Sequence, residues 1–207
     1  QLMPVHKIKH LVFSSSCTVY GQPEELPVTE RAPIQPALSP YGNTKQISEE
    51  IIRDAIHSNP DCYRSIVLRY FNPIGAHASA EIGELPLGIP NNLLPFVTQT
   101  AIGIRKQLQV FGDDYNTPDG SCIRDYIHVV DLAKAHVAAV KRMLESKSKE
   151  SYGIFNLGTG RGLSVLEIIK TFEQVNQVKV PYKIAGRREG DIEQVWADPT
   201  YANEVLG

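Results

Sequence analysis

Hydrophobic and polar positions along this chain follow two different periods, and the switches between them predict most of its elements. "HLVFSSS" at residues 10–16 is apolar and then abruptly hydroxylated, the pattern of a strand with a polar end. A loop carrying Pro23, Pro27, Pro33 and Pro36 follows and reaches Pro40. "YGNTKQISEEIIRDAIHS" then sets Ile47, Ile51 and Ala55, with Ile52 and Ile56 beside them, on one stripe of an amphipathic helix. "SIVLRYFN" at 65–72 has the β-branched run of a buried strand, and residues 74–92 form a loop rich in Gly and Pro. "LLPFVTQTAIGIRK" predicts a helix, "LQVFG" a short strand, and "DLAKAHVAAVKRMLES" a helix with Asp131 as its N-cap. "GIFNLG" predicts another strand, "SVLEIIKTFEQV" a helix capped by Ser164, and "PYKIAG" a strand. In "DPTYANEVLG", Asp198 is the expected N-cap and Pro199 the first helical residue.

Strands alternating with helices indicate an α/β protein with a largely parallel sheet. There is no internal repeat and no low-complexity tract. The 207 residues suffice for a sizeable core, and the composition, 42% hydrophobic and 21% charged, is that of a soluble globular protein. A formal net charge of -2 favours neither nucleic acid nor an anionic membrane as partner. No apolar run approaches the ~20 residues of a bilayer span. The opening "QLMPVHKIKHLVF" lacks the apolar core of a secretory signal. Cys17, Cys62 and Cys122 are scattered singly, which suggests reduced thiols and a cytoplasmic setting. The six histidines show no metal-binding spacing.

The candidate chemistry begins at "SPYGNTK", where Tyr41 and Lys45 stand one helical turn apart and share a face. An ammonium beside a phenol favours the phenolate and brings tyrosine towards the range of a general base. The same spacing also suits a packed ring beside a solvated amine. Ligands of open α/β sheets sit beyond the carboxyl ends of strands, which is where Ser14, Ser15 and Ser16 lie, and where the next strand ends in "RYFNPIGAH". "GIFNLGTGRGLSV" imitates a dinucleotide fingerprint. Its glycines, Gly158, Gly160 and Gly162, run G-x-G-x-G, with Leu163 in the third glycine's place. Tight-turn glycines explain it better than a phosphate loop.

"FSSSCTVYG", "SPYGNTK", "LRYFNPIGAH", "GIPNNLLPFV", "VFGDDYNTPDGSCIRDYIHVVDLAKAH", "FNLGTGRGLSVLE" and "RREGDIEQVWADPTYANEVLG" occur in this order from about residue 8 to the end. Together they resemble the UDP-galactose 4-epimerases, a family of extended short-chain dehydrogenase/reductases. The resemblance implies a partial Rossmann-like, doubly wound parallel sheet plus a smaller mixed α/β substrate domain. Residues 1–72 would be the remainder of an NAD-binding domain, and residues 73–207 mainly a UDP-sugar-binding region with segments returning to the Rossmann sheet. It implies NAD as cofactor and UDP-galactose and UDP-glucose as substrates, interconverted through a 4-keto sugar, with N-acetylated UDP-sugars as further candidates.

By the same resemblance Tyr41 is the catalytic base, Lys45 lowers its pKa and binds the cofactor ribose, and Ser16 hydrogen-bonds the reacting hydroxyl. Ser14 lies near the cofactor, and Tyr70 and Phe71 line its nicotinamide. Asn72, Asn92 and Leu93 contact the nucleotide sugar, Val110 and Phe111 flank the uracil, and Asp191 meets the uridine ribose. Arg124 and Arg188 clamp the diphosphate, as guanidinium forks suit phosphate oxygens. Val195 faces the sugar 2-substituent, where a small residue leaves room for an acetamido group; packing in the core beside Trp196 is the alternative. For the full-length protein a homodimer is implied.

The family pattern also begins with a strand, a Gly-x-x-Gly-x-x-Gly loop and further βα units that are not in this sequence. The chain therefore looks like the C-terminal part of an epimerase, expected to hold NAD weakly by itself. Two other readings stay open: a decarboxylase or dehydratase acting on another nucleotide sugar, and a catalytically inactive chain that keeps the nucleotide-sugar site.

Overall fold

The computed structural model describes residues 2–145, 147 and 150–207. A short helix α1 (Leu2–Val5) precedes β1 (His10–Ser16), which runs into a 3-10 turn, Cys17–Tyr20. Then follow α2 (Pro40–Ser58), β2 (Arg64–Tyr70), β3 (Asn72–Ile74), α3 (Leu93–Ala101), β4 (Leu108–Phe111), β5 (Ile123–His128) and α4 (Val129–Leu144). The last third holds β6 (Tyr152–Leu157), β7 (Gly162–Ser164), α5 (Val165–Asn176), β8 (Tyr182–Ala185), β9 (Gln194–Val195) and α6 (Thr200–Leu206).

β1, β2 and β6 form a parallel sheet in that order, with Ser14 opposite Leu68 and Leu68 opposite Phe155. β6 thus returns to the first sheet from far along the chain. β5 anchors a second, mixed sheet: β3 and β9 pair with it in parallel and β7 antiparallel. β4 and β8 make a separate parallel pair.

β2 is covered on both faces, so its side chains sort by parity. Ile66 and Leu68 belong to the main apolar cluster, with Leu132, Ala139 and Met143 of α4, Phe155 and Leu157 of β6 and Ala202 of α6. Ser65, Val67 and Arg69 alternate with them, and Arg69 meets Glu49 of α2. A second cluster joins the 3-10 turn, Phe71, Val195 and Ala197, and a third packs α3 and α5 around Leu108, Val110 and Val180.

Several boundaries differ from the periodicity. The stripe expected to bury α2 is mostly open: Ile47 and Ile51 are 46% and 63% exposed, Ala55 is exposed, and Gly42, Glu49 and Ile56 are the buried positions. A buried carboxylate with its own partners outweighs the apolar pattern there. α3 stops at Ala101, short of Lys106, because Gly103 takes a left-handed φ of 80° and breaks the helix. α4 starts earlier than expected. Its N-cap is His128, whose ring accepts from Val130 N at 3.2 Å, and Asp131 falls in the first turn. Ser146, at the predicted end of that helix, lies outside the described residues. α6 begins at Thr200 with Pro199 at the cap position, while the Asp198 carboxylate still accepts from Thr200 N at 3.0 Å. Ser164 caps α5 as expected and forms a capping box with Glu167. The strand β5 escaped the pattern because "IRDYIH" carries charges that the site uses.

Leu68 is fully buried between β1 and β6, so Leu68→Ala should lower unfolding free energy in urea by about 2–5 kcal/mol. Leu87→Ala, at a fully exposed position, should change it by less than about 0.5 kcal/mol.

Candidate active site

The serines that end β1 point in different directions and take different partners. Strand alternation turns Ser14 towards α4, where its hydroxyl lies 3.0 Å from His136 Nε2. His136 Nδ1 lies 2.9 Å from the Leu132 carbonyl, which can only accept, so the proton sits on Nδ1 and Ser14 donates to Nε2. Ser15 turns the other way and donates to Glu49 Oε1 of α2 at 2.5 Å. Ser16 caps the 3-10 turn by accepting from Thr18 N at 3.2 Å.

α2 starts against that same turn. Ser39 accepts from Gly42 N at 3.1 Å, Pro40 occupies the first helical turn, and Gly42 lets the helix approach the Thr18 carbonyl, which a Cβ would crowd at 3.3 Å. This seats Tyr41 beside the strand end with its side chain half open, 51% exposed. One turn on, Lys45 Nζ donates to the Ser14 carbonyl at 2.8 Å and lies 5.2 and 5.4 Å from the Phe13 and Tyr41 ring centroids.

The Tyr41 phenol does not show the depressed pKa expected from Lys45. Burial pushes it above the usual tyrosine range, Tyr70 and Cys17 push the same way, and a hydrogen bond from Ser16 pulls it down. The lysine spends a hydrogen bond on a backbone carbonyl and rests over the rings. Cys17, next to Ser16, is held up at about 12 by burial, against the Arg124 guanidinium and the Ser16 hydroxyl. That influence links the strand end to β5.

At the end of β2, Tyr70 lies tilted against His136, centroids 6.2 Å apart, so Ser14 and Tyr70 converge on one imidazole. Phe71 is buried with Val19 and Val195, and Asn72 pairs with Tyr126 across β3 and β5.

A basic cluster forms on β5 and the segment before β9. Arg188 grips Asp191 with both arms of its fork, Nε to Oδ2 at 3.0 Å and Nη2 to Oδ1 at 2.9 Å. Arg124 Nη2 approaches the same carboxylate at 3.5 Å, and its Nη1 donates to the carbonyls of Ile123 at 2.8 Å and Glu193 at 3.4 Å. The Arg188 guanidinium also rests 5.1 Å from the Phe111 ring centroid. Arg124, Arg188, Asp191 and Phe111 therefore make one group, two cations sharing one anion beside an aromatic face.

The structure does not bring every expected residue to this group. Val110 is buried with Leu108 and Val180 in the third cluster. Asn92 stands at the start of α3 without capping it and donates to Glu84 at 2.7 Å; Leu93 packs on the third cluster. Val195 is 2% exposed, enclosed by Val19, Phe71 and Ala197, so its side chain packs in the core and forms no open gate. A cavity of about 510 Å³ does open in the molecule, but it lies between Tyr126, His128, Leu157 and Ala202, away from Tyr41 and Lys45.

The glycine loop after β6 turns out to be an internal anion nest. The fully buried Asp125 carboxylate accepts from Thr159 N at 2.8 Å, Gly160 N at 3.1 Å, Ala197 N at 3.2 Å and the Thr159 hydroxyl at 2.7 Å. The amides a phosphate would need are thus engaged. Gly158 is required because a Cβ there would collide with that carboxylate, and Gly160 because its φ is 78°. Asp125 carries no mark in the sequence beyond sitting in "DGSCIRDYIHV". Glu49 could have been found, since it continues the four-residue spacing of Tyr41 and Lys45.

The end of a parallel sheet thus meets a helix carrying Tyr41 and Lys45, and two arginines of the same chain share one carboxylate. Residues 1–158 match the NAD dependent epimerase/dehydratase family, and the chain belongs to it. The chain is 52% identical over 207 residues to the UDP-glucose 4-epimerase of Mus musculus, covering 100% of itself and 58% of that protein. It is likewise 52% identical to the UDP-glucose 4-epimerase of Bacillus subtilis, covering 60% of it. The crystal structure of UDP-glucose 4-epimerase from Bifidobacterium longum in complex with NAD+ and UDP superimposes with a TM-score of 0.94 at 50% identity, over 100% of this chain and 60% of that one. The chain thus spans about three-fifths of the length of these relatives.

Among the thiols, Cys62 is exposed, whereas Cys17 has a pKa near 12 and Cys122 is buried. A thiol reagent at pH 8 should label Cys62 quickly and the other two only on unfolding, read by peptide mass spectrometry. Asp125→Asn replaces an acceptor-only group by one whose NH2 faces amide donors, and should cost about 1–3 kcal/mol of stability in urea.

Proposed function

We propose that this chain is the catalytic and nucleotide-binding part of an NAD-dependent UDP-glucose 4-epimerase, which interconverts UDP-glucose and UDP-galactose. The observation that carries this reading is the seat of Tyr41 and Lys45 of α2 against Ser14 and Ser16 of β1, with Arg124 and Arg188 drawn together by Asp191. The relatives' names and the matched family support the same activity.

The residues present suit the nicotinamide half of NAD: an open phenol, an ammonium with donors to spare beyond the Ser14 carbonyl, and the Tyr70 ring. When bound, NAD supplies a hydride acceptor and donor for the sugar C4. Tyr41 takes the proton of the sugar 4-hydroxyl and returns it to the other epimer, with Ser16 orienting that hydroxyl. Lys45, one turn away, is placed to bind the cofactor ribose with the donors it does not give to the Ser14 carbonyl. Arg124 and Arg188 meet the diphosphate, Phe111 offers a face to the uracil, and Asp191 orders the clamp with lone pairs left for the ribose. Asn72, Asn92 and Leu93 belong to the sugar side of this reading. Residues 1–72 with β6 form the cofactor half. Val195 is not needed in it, and its packing supports no preference for N-acetylated sugars.

Exposed Ile47 and Ile51 on α2 support a pairing of two copies through that helix face. Three free cysteines support a reducing, cytoplasmic setting, and no described helix is long and apolar enough to cross a membrane.

In protein supplied with NAD, Tyr41→Phe should lower turnover of UDP-galactose by ~10²–10⁴-fold while UDP affinity by calorimetry holds within about twofold. Arg188→Ala should do the reverse, weakening UDP binding most. Undiminished turnover in Tyr41→Phe would remove the acid–base assignment.

A further inference from the structure

Glu49 is the third member of the stripe that carries Tyr41 and Lys45, and it is 7% exposed. Its carboxylate receives the Ser15 hydroxyl at 2.5 Å and the Arg69 fork, Nε to Oε1 at 3.0 Å and Nη2 to Oε2 at 2.5 Å. Arg69, 4% exposed, passes Nη1 to the Tyr20 hydroxyl at 3.0 Å, which donates to Asn156 Oδ1 at 2.6 Å. Asn156 donates in turn through its side-chain amide to the Val28 carbonyl at 2.9 Å and through its backbone N to Glu30 Oε1 at 2.7 Å. One continuous network therefore ties α2 to β1, β2, the 3-10 turn and β6.

We propose that Glu49, with Ser15 and Arg69, is a positioning unit for the reaction: it fixes the azimuth and height of α2 so that Tyr41 is delivered to Ser16 at the end of β1. The proposal rests on the reading of Tyr41 as the acid–base group. A buried ion pair is a poor source of stability, since apolar residues of equal volume often do as well. What a guanidinium–carboxylate fork does supply is direction, because its two parallel hydrogen bonds tolerate little rotation. Tyr41 needs an outside reference of this kind. It sits in the first turn of α2, is 51% exposed, and among the described residues Ser16 supplies the hydrogen bond that pulls its phenol pKa down. Glu49 lies about 12 Å further along the axis. Between them Lys45 bonds the Ser14 carbonyl, and Gln46 bonds the carbonyls of Val19 at 2.9 Å and Gln35 at 2.7 Å. Ser15 is the informative member, because it stands between the two serines of the site and its loss leaves the Arg69–Glu49 pair intact.

The test follows the Tyr41 phenol directly, in protein carrying 13Cζ-tyrosine, with its resonance assigned by its loss in Tyr41→Phe. Tyr70, Cys17, Ser16 and Lys45 are the groups that face it. Burial holds the phenol up and the Ser16 hydrogen bond pulls it down, so a helix that shifts against β1 changes both and the midpoint moves. Ser15→Ala should shift the Tyr41 midpoint from that of the unaltered protein, and Ser15→Thr should restore it. Glu49→Gln should act as Ser15→Ala does; if that variant fails to fold, the serine pair still decides. In turnover, Ser15→Ala should lower kcat about tenfold with KM for UDP-galactose unchanged. An unmoved Tyr41 midpoint in Ser15→Ala, or no restoration in Ser15→Thr, overturns the positioning role. Undiminished turnover in Tyr41→Phe overturns instead the acid–base reading, whatever the titrations show.

Discussion

Tyr41, Lys45 and Glu49 recur every four residues along α2, and the end of β1 answers them with Ser16, the Ser14 carbonyl and the Ser15 hydroxyl. This contact between one helix face and one strand end governs the rest of the site. A strand offers side chains to both faces and carbonyls along its edge, so three neighbouring serines can meet three kinds of partner. Ser14 reaches α4 through His136, Ser15 reaches α2 through Glu49, and Ser16 caps the turn that follows. The helix cannot slide without breaking bonds at three levels. Its acidic member is held by Arg69, which follows the apolar run Ile66–Leu68 near the end of β2.

β5 applies the same alternation to charge. Arg124 and Asp125 are adjacent, so they point to opposite sides. Arg124 joins Arg188 and Asp191 beside Phe111, while Asp125 turns inward and gathers the amides of the loop after β6. The cation faces the site and the anion organises the backbone beneath it. A glycine-rich loop that resembles a phosphate cradle is thereby already satisfied by a side chain of the same protein. Its glycines are explained by close approach and by one left-handed residue.

The elements of strong period were legible in the sequence: β1, β2, β6 and α5 lie where their patterns put them. Of the residues singled out by motif, Tyr41, Lys45 and Ser16 come together at the end of β1, and Arg124 and Arg188 meet on Asp191. The misplaced features share a cause. α2 looked buried along Ile47 and Ile51 because apolar residues mark a face, but the helix turns Glu49 inward, and that choice depends on Arg69, twenty positions away in sequence. The N-cap of α4 moved to His128 because its ring nitrogen, placed by β5, reaches Val130 N before Asp131 can act. Val195 and Val110 follow the family's motif by position, yet their side chains close into apolar clusters.

The sequence by itself determined the α/β class, the order of the strongly periodic elements, and the spacing that puts Tyr41 and Lys45 on one helix face. Those follow from local periodicity and from short spacings, which are properties of neighbours along the chain. Only the tertiary structure decided which serine meets which partner, that Lys45 bonds a backbone carbonyl, that one carboxylate gathers two guanidiniums, and that the glycine loop serves Asp125. Each of these depends on a contact between distant segments, and burial raises the strength of such a polar contact far above what its separation in sequence could suggest.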